Sequence, residues 1–121
     1  MQITIVPASS SVGEAAVRQL LAHGSQPTVR AIYRNIDKAP EEFKSNPQFR
    51  AVRGDIGTGD LDFDTSEAVL YVVPAVMDGS DLDEFATRAG NNVKAAIERA
   101  GTVKRLVVQS ALGSQFEGIV S

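Results

Sequence analysis

Apolar and polar positions change their period several times along this chain. "QITIVP" is a short β-branched run of the kind found in parallel strands buried on both faces. Residues 13 to 23 then follow a helical period, with Val12, Ala16, Val17, Leu20 and Leu21 spaced for one face. "HGSQP" ends that helix, with Gly24 where a left-handed cap is wanted. "TVRAIYR" predicts a second strand. "DKAPEEFKSNP" predicts a polar connector with one helical turn from Glu41 to Lys44, and "FRAVRGD" a third, shorter strand. "IGTGDLDFDTSE" is rich in breakers and acids and predicts a loop. "AVLYVVPA" is the most apolar strand and the expected centre of the sheet. From Asp81, the positions Leu82, Phe85, Ala86, Ala89, Val93, Ala96, Ile97 and Ala100 keep helical spacing for about five turns, until Gly101 stops them. "RLVVQSA" predicts a fifth strand, and "LGSQFEGIVS" carries no strong signal.

Strands alternating with helices imply β-α-β units, right-handed crossovers and a parallel sheet. The expectation is an α/β fold: a shortened doubly wound, Rossmann-like parallel sheet of about five strands in the order 3-2-1-4-5, one domain over residues 1–121. Its ligand crevice falls at the carboxyl ends of strands 1 and 4. There, residues 7–13, 33–35, 54–56, 74–79 and 110–115 should meet.

Composition narrows the function classes. A net charge of −3 argues against nucleic acid and against an anionic membrane, which both reward a basic face. The absence of cysteine excludes disulfides and thiolate metal sites. "MQITIV" has no positively charged start and reads as a first strand rather than a signal peptide. No run approaches the ~18 apolar residues of a membrane span, so the expected location is the cytoplasm.

A dinucleotide turn needs one glycine for a sharp bend, a second for backbone approach to the pyrophosphate and a third for helix–strand packing. By spacing these positions are Pro7, Ser10 and Gly13, and only Gly13 qualifies. Pro7 has no N–H to give a phosphate, whereas the Ser10 hydroxyl is a substitute donor. The helix N-terminus behind Gly13 is an anion site in principle. Ser11 to Glu14 is equally a capping-box spacing, and both readings stand. Arg34 ends strand 2, where an acid would bind the ribose of NAD; an arginine suits a 2′-phosphate and hence NADP(H). The alternative is a solvated arginine at a strand end.

In order and spacing, "ITIVPASSSVG", "AIYRN", "VRGDI", "VLYVVPA" and "NNVKAAIERAGTVKRLVVQSALG" resemble the N-terminal half of NmrA-like proteins, atypical members of the short-chain dehydrogenase/reductase superfamily. The resemblance implies that Gly13, Arg34 and Asp55 serve the phosphate turn, the 2′-phosphate and the adenine. It places Val73 and Pro74 along the cofactor, Ser110 at the superfamily's active-site serine and Asn92 at its helix asparagine. The sequence departs from the family at Pro7 and Ser10. The Tyr-x-x-x-Lys element would follow residue 121, and Tyr33 and Tyr71 supply no substitute, with Asp37 and Ala75 four residues on.

His23, the lone histidine, sits in the last turn of the first helix, where it suits the dipole, at the end opposite the crevice. Asp60, Asp62, Asp64 and Glu67 lack the glycine and the spaced glutamate of a calcium loop and read as a solvated acidic loop; no metal site is expected. Asp78, at the crevice mouth, is a candidate general base. Ser110, with Gln109 and Gln115, is a candidate hydrogen-bonding group toward a carbonyl or hydroxyl. Strand 5 is expected to be an open apolar edge, and the sheet face under the long helix to lack its usual second cover. A homodimer through that edge or the long helix would hide them, with "FEGIV" crossing to the partner.

Two functions follow, with a third behind them. In the first, the crevice binds a small organic molecule for non-redox acid–base chemistry such as isomerisation, dehydration or cyclisation, with Asp78 and Ser110 catalytic and no cofactor. In the second, it binds NADP(H) through Ser10, Gly13, Arg34, Asp55 and Pro74, as a reductase-like protein or a dinucleotide sensor. The third is a non-catalytic, partner-binding remnant.

Overall fold

The computed structural model describes residues 2–9, 11–24, 27–63, 65–73, 82–110 and 115–119, with the backbone alone at 11, 73, 82–86, 110 and 115–119. Strand β1 (Gln2–Val6) leads to helix α1 (Ser11–Leu21), β2 (Thr28–Tyr33), a 3-10 turn (Ile36–Lys38), the one-turn helix α2 (Glu41–Lys44) and β3 (Phe49–Arg53). A long loop then precedes β4 (Ala68–Val73), α3 (Leu82–Ala100), β5 (Arg105–Ser110) and β6 (Gln115–Ile119). The sheet order is β3-β2-β1-β4-β5-β6. The first five strands are all parallel, in registers such as Ile5 opposite both Ala31 and Leu70. The expected Rossmann-like order, 3-2-1-4-5, is therefore present.

Alternation along the strands sorts the core into two layers. Ile5, Val29, Ala31 and Tyr33 face Val17 of α1 and Phe43 of α2. Val6, Ile32, Val69 and Tyr71 face Ala89, Val93, Ala96 and Ile97 of α3. Each large apolar side chain so buried contributes about 1.5–3 kcal/mol, which makes the strand interiors the main source of stability.

The β3–β4 loop is more built than its composition suggests. Ile56, Leu61 and Phe63 insert into the α3 layer. Polar side chains beneath pin its backbone: Asn92 Nδ2 donates to the Ile56 carbonyl at 2.7 Å, Arg99 Nη2 to that of Leu61 at 2.9 Å and Thr102 Oγ1 to that of Ser66 at 2.8 Å. The Ser66 hydroxyl is itself buried against Thr4 Oγ1. The described acids Asp60, Asp62 and Glu67 are exposed, as expected, and Asp62 also pairs with the largely buried Arg30 at 3.3 Å.

Three local expectations are corrected. Residues 115–119 form β6, antiparallel to β5 from Gln109↔Gln115 to Arg105↔Ile119. The β5 edge is thus covered within the chain rather than open, and "FEGI" pairs intramolecularly. Helix α1 starts at Ser11, so Ser11 is its first turn rather than its cap; the cap position falls on Ser10, outside the described residues. Gly24 is not in the left-handed region; Gly59 and Gly101 are the described glycines with positive φ, at 84° and 68°.

Candidate functional site

At the carboxyl ends of β1, β2 and β4 lies a crevice of about 650 Å³. Val6, Ile32 and Val72 form an apolar floor, Gly54 to Thr58 one wall, and Arg34 and Arg88 contribute guanidinium groups. A second hollow of about 520 Å³ adjoins it, lined by Ser9, Arg34, Asn35 and Lys38. Ser9 and Arg34 line both, so the two spaces share a border.

The strand-to-helix turn settles what each of its residues supplies. A Cβ on Gly13 would lie 2.8 Å from the Pro7 carbonyl oxygen and 3.0 Å from Ala8 Cα, so close packing of α1 on β1 requires glycine there. Pro7 has no donor. The Ala8 N–H is already given to the Ile32 carbonyl, at 2.9 Å. The turn therefore keeps its packing role and offers no backbone donor from residues 7 or 8. Ser9 is exposed at the crevice rim, with its hydroxyl among the remaining polar groups.

The β2 end carries the positive charge. Asn35 Oδ1 accepts from the Asp37 N–H at 3.0 Å and caps the 3-10 turn, which brings Lys38 round to the hollow that Arg34 lines. Arg34 is 81 % exposed and its Nε is 3.7 Å from Asp55 Oδ2. An exposed pair at that distance stabilises by well under about 1 kcal/mol, so it leaves the guanidinium free to turn toward an anion.

Asp55 follows Gly54, where a Cβ would lie 2.7 Å from Ile32 Cγ2 and 2.9 Å from the Asp60 carbonyl oxygen; only glycine lets the chain leave β3 so close to β2. The Asp55 carboxylate is oriented by the Gly57 N–H, which donates to Oδ1 at 2.7 Å. Its N–H bonds the Asp60 carbonyl at 2.9 Å, closing the loop on itself.

The predicted residues divide as follows. Arg34 and Asp55 line the crevice together, and Gly13 packs beneath its rim. Ser110 ends β5 opposite Val73 in the ladder. Ser10, Pro74 and Asp78 lie outside the described residues. Asn92 does not stand free as a reactive group, because its amide holds the Ile56 carbonyl. His23 lines a separate groove of about 530 Å³ that runs beside α1 along β4 and β5, with Ile3, Leu20, Leu70 and Val107. Sequence reasoning missed Ser9, Lys38 and Arg88. Lys38 had one signal, its place four residues beyond Arg34 after a helix-capping Asn-x-Asp; Arg88 had none, since only tertiary packing turns it to the crevice.

Two buried phenols complete the electrostatics. Burial, and secondarily the nearby Glu14 carboxylate, push Tyr33 up to about 12. Burial likewise raises Tyr71. Neither is a ready proton donor at neutral pH.

The fold recurs in solved structures. Triphenylmethane reductase from Citrobacter sp. superposes with a TM-score of 0.75 at 21% identity, over 90% of this chain and 37% of that one. Its complex with NADP(H) gives 0.73. A short-chain dehydrogenase/reductase from Veillonella parvula in complex with NADP matches at 0.68 and 16% identity, over 90% of this chain and 46% of its own. An oxidoreductase from Lactococcus lactis matches at 0.67 and 19%, over 91% and 48%. At these identities the likeness is one of fold, and this chain spans less than half the length of each. No curated protein matches the sequence. The sequence model described as NAD(P)H-binding matches residues 8–119, nearly the whole chain. With its Rossmann-like sheet, its glycine-packed turn and its crevice at the strand ends, this chain belongs to the NAD(P)H-binding family, in the NmrA-like, atypical short-chain dehydrogenase/reductase group.

Proposed function

We propose that this chain binds NADP(H) by its adenosine 2′-phosphate end, in the crevice and the adjoining basic hollow. One observation carries the reading: Ser9, Arg34 and Lys38 converge on the hollow beside the crevice, at the end of β2. Two cations and a hydroxyl suit a phosphate dianion and have no counterpart in a plain ribose diol. Asp55, held by Gly57, would accept from the exocyclic amine of adenine, over the apolar floor of Val6, Ile32 and Val72. The fit is good at this half of the cofactor. It is poor at the pyrophosphate, where Pro7 and the engaged Ala8 N–H leave Ser9, the Ser10 hydroxyl and the start of α1 as donors. Bound NADPH would supply a hydride, and Pro74 would line its course. The chain's own residues would fix the nucleotide end and exclude water from the floor.

The poor pyrophosphate turn favours one other reading, in which the crevice holds a small organic molecule for non-redox acid–base chemistry. Asp78 would be the base and Ser110 the hydrogen-bonding group. The two separate in a titration of the purified chain with NADPH. Arg34→Ala and Lys38→Ala each weaken NADPH binding by about tenfold, the loss of one charge-assisted contact, if the first reading holds. No saturable NADPH binding up to millimolar concentration contradicts it and leaves the second.

A further inference from the structure

Asn92 lies on α3, one helical turn beyond Arg88, under the loop that forms one wall of the crevice. Its Nδ2 donates to the Ile56 carbonyl at 2.7 Å. Its other amide atom faces Gly59: a Cβ there would lie 3.2 Å from Asn92 Oδ1, and Gly59 has φ +84°. The side chain is thus wedged between the carbonyl that follows Asp55 and the glycine where the loop turns back. That loop is tight and internally bonded, with Gly59 N–H to the Asp55 carbonyl at 3.1 Å and Asp55 N–H to the Asp60 carbonyl at 2.9 Å. Asp55 therefore cannot move independently of the backbone that Asn92 holds.

We infer that Asn92 is a positioning residue for base recognition: it sets the 55–60 loop so that the Asp55 carboxylate and the Ile56–Thr58 edge face a purine in the crevice. This rests on the nucleotide reading above. The superfamily resemblance matches Asn92 only to a helix asparagine and assigns it no contact. Here one N–H of its amide is engaged by the Ile56 carbonyl.

The chain contains its own control. Arg99, two turns further along α3, makes the same kind of bond to the same loop, Nη2 to the Leu61 carbonyl at 2.9 Å, but Leu61 does not line the crevice, whereas Ile56, held by Asn92, does. The experiment compares Asn92→Asp, Gly59→Ala and Arg99→Ala in the full chain. Each is titrated at a temperature where circular dichroism shows it folded, with NADPH and with its hypoxanthine analogue, which has a carbonyl in place of the adenine amine. Asn92→Asp keeps the size and replaces the donor with a second acceptor opposite the Ile56 carbonyl; Gly59→Ala disturbs the same contact from the loop side.

The expected result is a fall of about tenfold in NADPH affinity for both Asn92→Asp and Gly59→Ala, with loss of the wild-type preference for adenine over hypoxanthine. Arg99→Ala should lose thermal stability yet keep affinity and preference within about twofold. Unchanged base preference in Asn92→Asp overturns the inference while leaving NADP(H) binding intact. An equal loss in Arg99→Ala also overturns it, since the loop would then matter only for general stability. A wild-type chain that binds neither probe removes the nucleotide reading and this inference with it.

Discussion

Gly13 has no room for a side chain, and the obstacle is backbone, which cannot swing aside. The Pro7 carbonyl oxygen would sit 2.8 Å from a new Cβ. Gly13→Ala should therefore lower unfolding free energy by about 2–4 kcal/mol, measured by urea denaturation, because α1 must shift off β1. Tyr33 makes a different prediction. Its hydroxyl is buried without a hydrogen-bond partner, and its pKa is pushed up to about 12 from 10.0. A raised folded-state pKa means that the stability contributed by the neutral phenol is complete below pH 10 and is lost as pH climbs through 12. Stability should fall across that window, and Tyr33→Phe should flatten the fall while costing little at pH 7, since it deletes an unsatisfied polar atom. Equilibrium unfolding at pH 8, 10 and 11 measures both; an unchanged alkaline slope in Tyr33→Phe would contradict the assignment.

Among the elements, what was legible in the sequence is what burial alone dictates. β1, β2, β4 and β5 are β-branched runs buried on one or both faces, and α3 repeats its apolar positions with helical spacing, so period and composition mark them. β6 was not legible because "QFEGI" mixes polar residues and a glycine, and an edge strand owes its existence to the neighbour it pairs with rather than to its own apolarity. The β3–β4 loop hid its order for a similar reason. Its many acids and breakers describe the exposed side, whereas Phe63, Leu61 and the bonds from Asn92, Arg99 and Thr102 are visible only once α3 lies beneath it. Arg34 and Asp55 could be read as site residues because each ends or follows a strand whose position the topology fixes. Lys38 offered only its spacing after Arg34, since its place depends on how the Asn35-capped 3-10 turn bends.

For the molecule as a whole, β6 is the element on which the sheet's outer edge depends. Removing residues 115–121 would leave β5 with a row of unpaired backbone groups beside Leu106 and Val108. That form should self-associate, and light scattering on matched concentrations of the full and shortened chains would show it. A shortened chain that stays as monodisperse as the full one would mean that β6 is not what protects the edge. Among the described residues no helix is long and apolar enough to cross a membrane. The same topology that closes the far edge brings β1, β2 and β4 to a common end, so an apolar floor, an oriented carboxylate and a basic hollow become neighbours. None of these is a nucleotide site alone. Under the proposed reading they would together favour a phosphorylated over an unphosphorylated ribose, because Arg34 and Lys38 meet at the hollow beside the crevice.

That discrimination is the most direct test. Isothermal calorimetry of the purified chain with NADPH and with NADH, at one ionic strength, reads the affinity ratio. Recognition of the 2′-phosphate by Arg34 and Lys38 predicts NADPH bound at least about tenfold more tightly, with the ratio collapsing toward one in the Arg34→Ala, Lys38→Ala double variant. Equal affinities in the wild-type chain, or a preference that survives the loss of both cations, would contradict it.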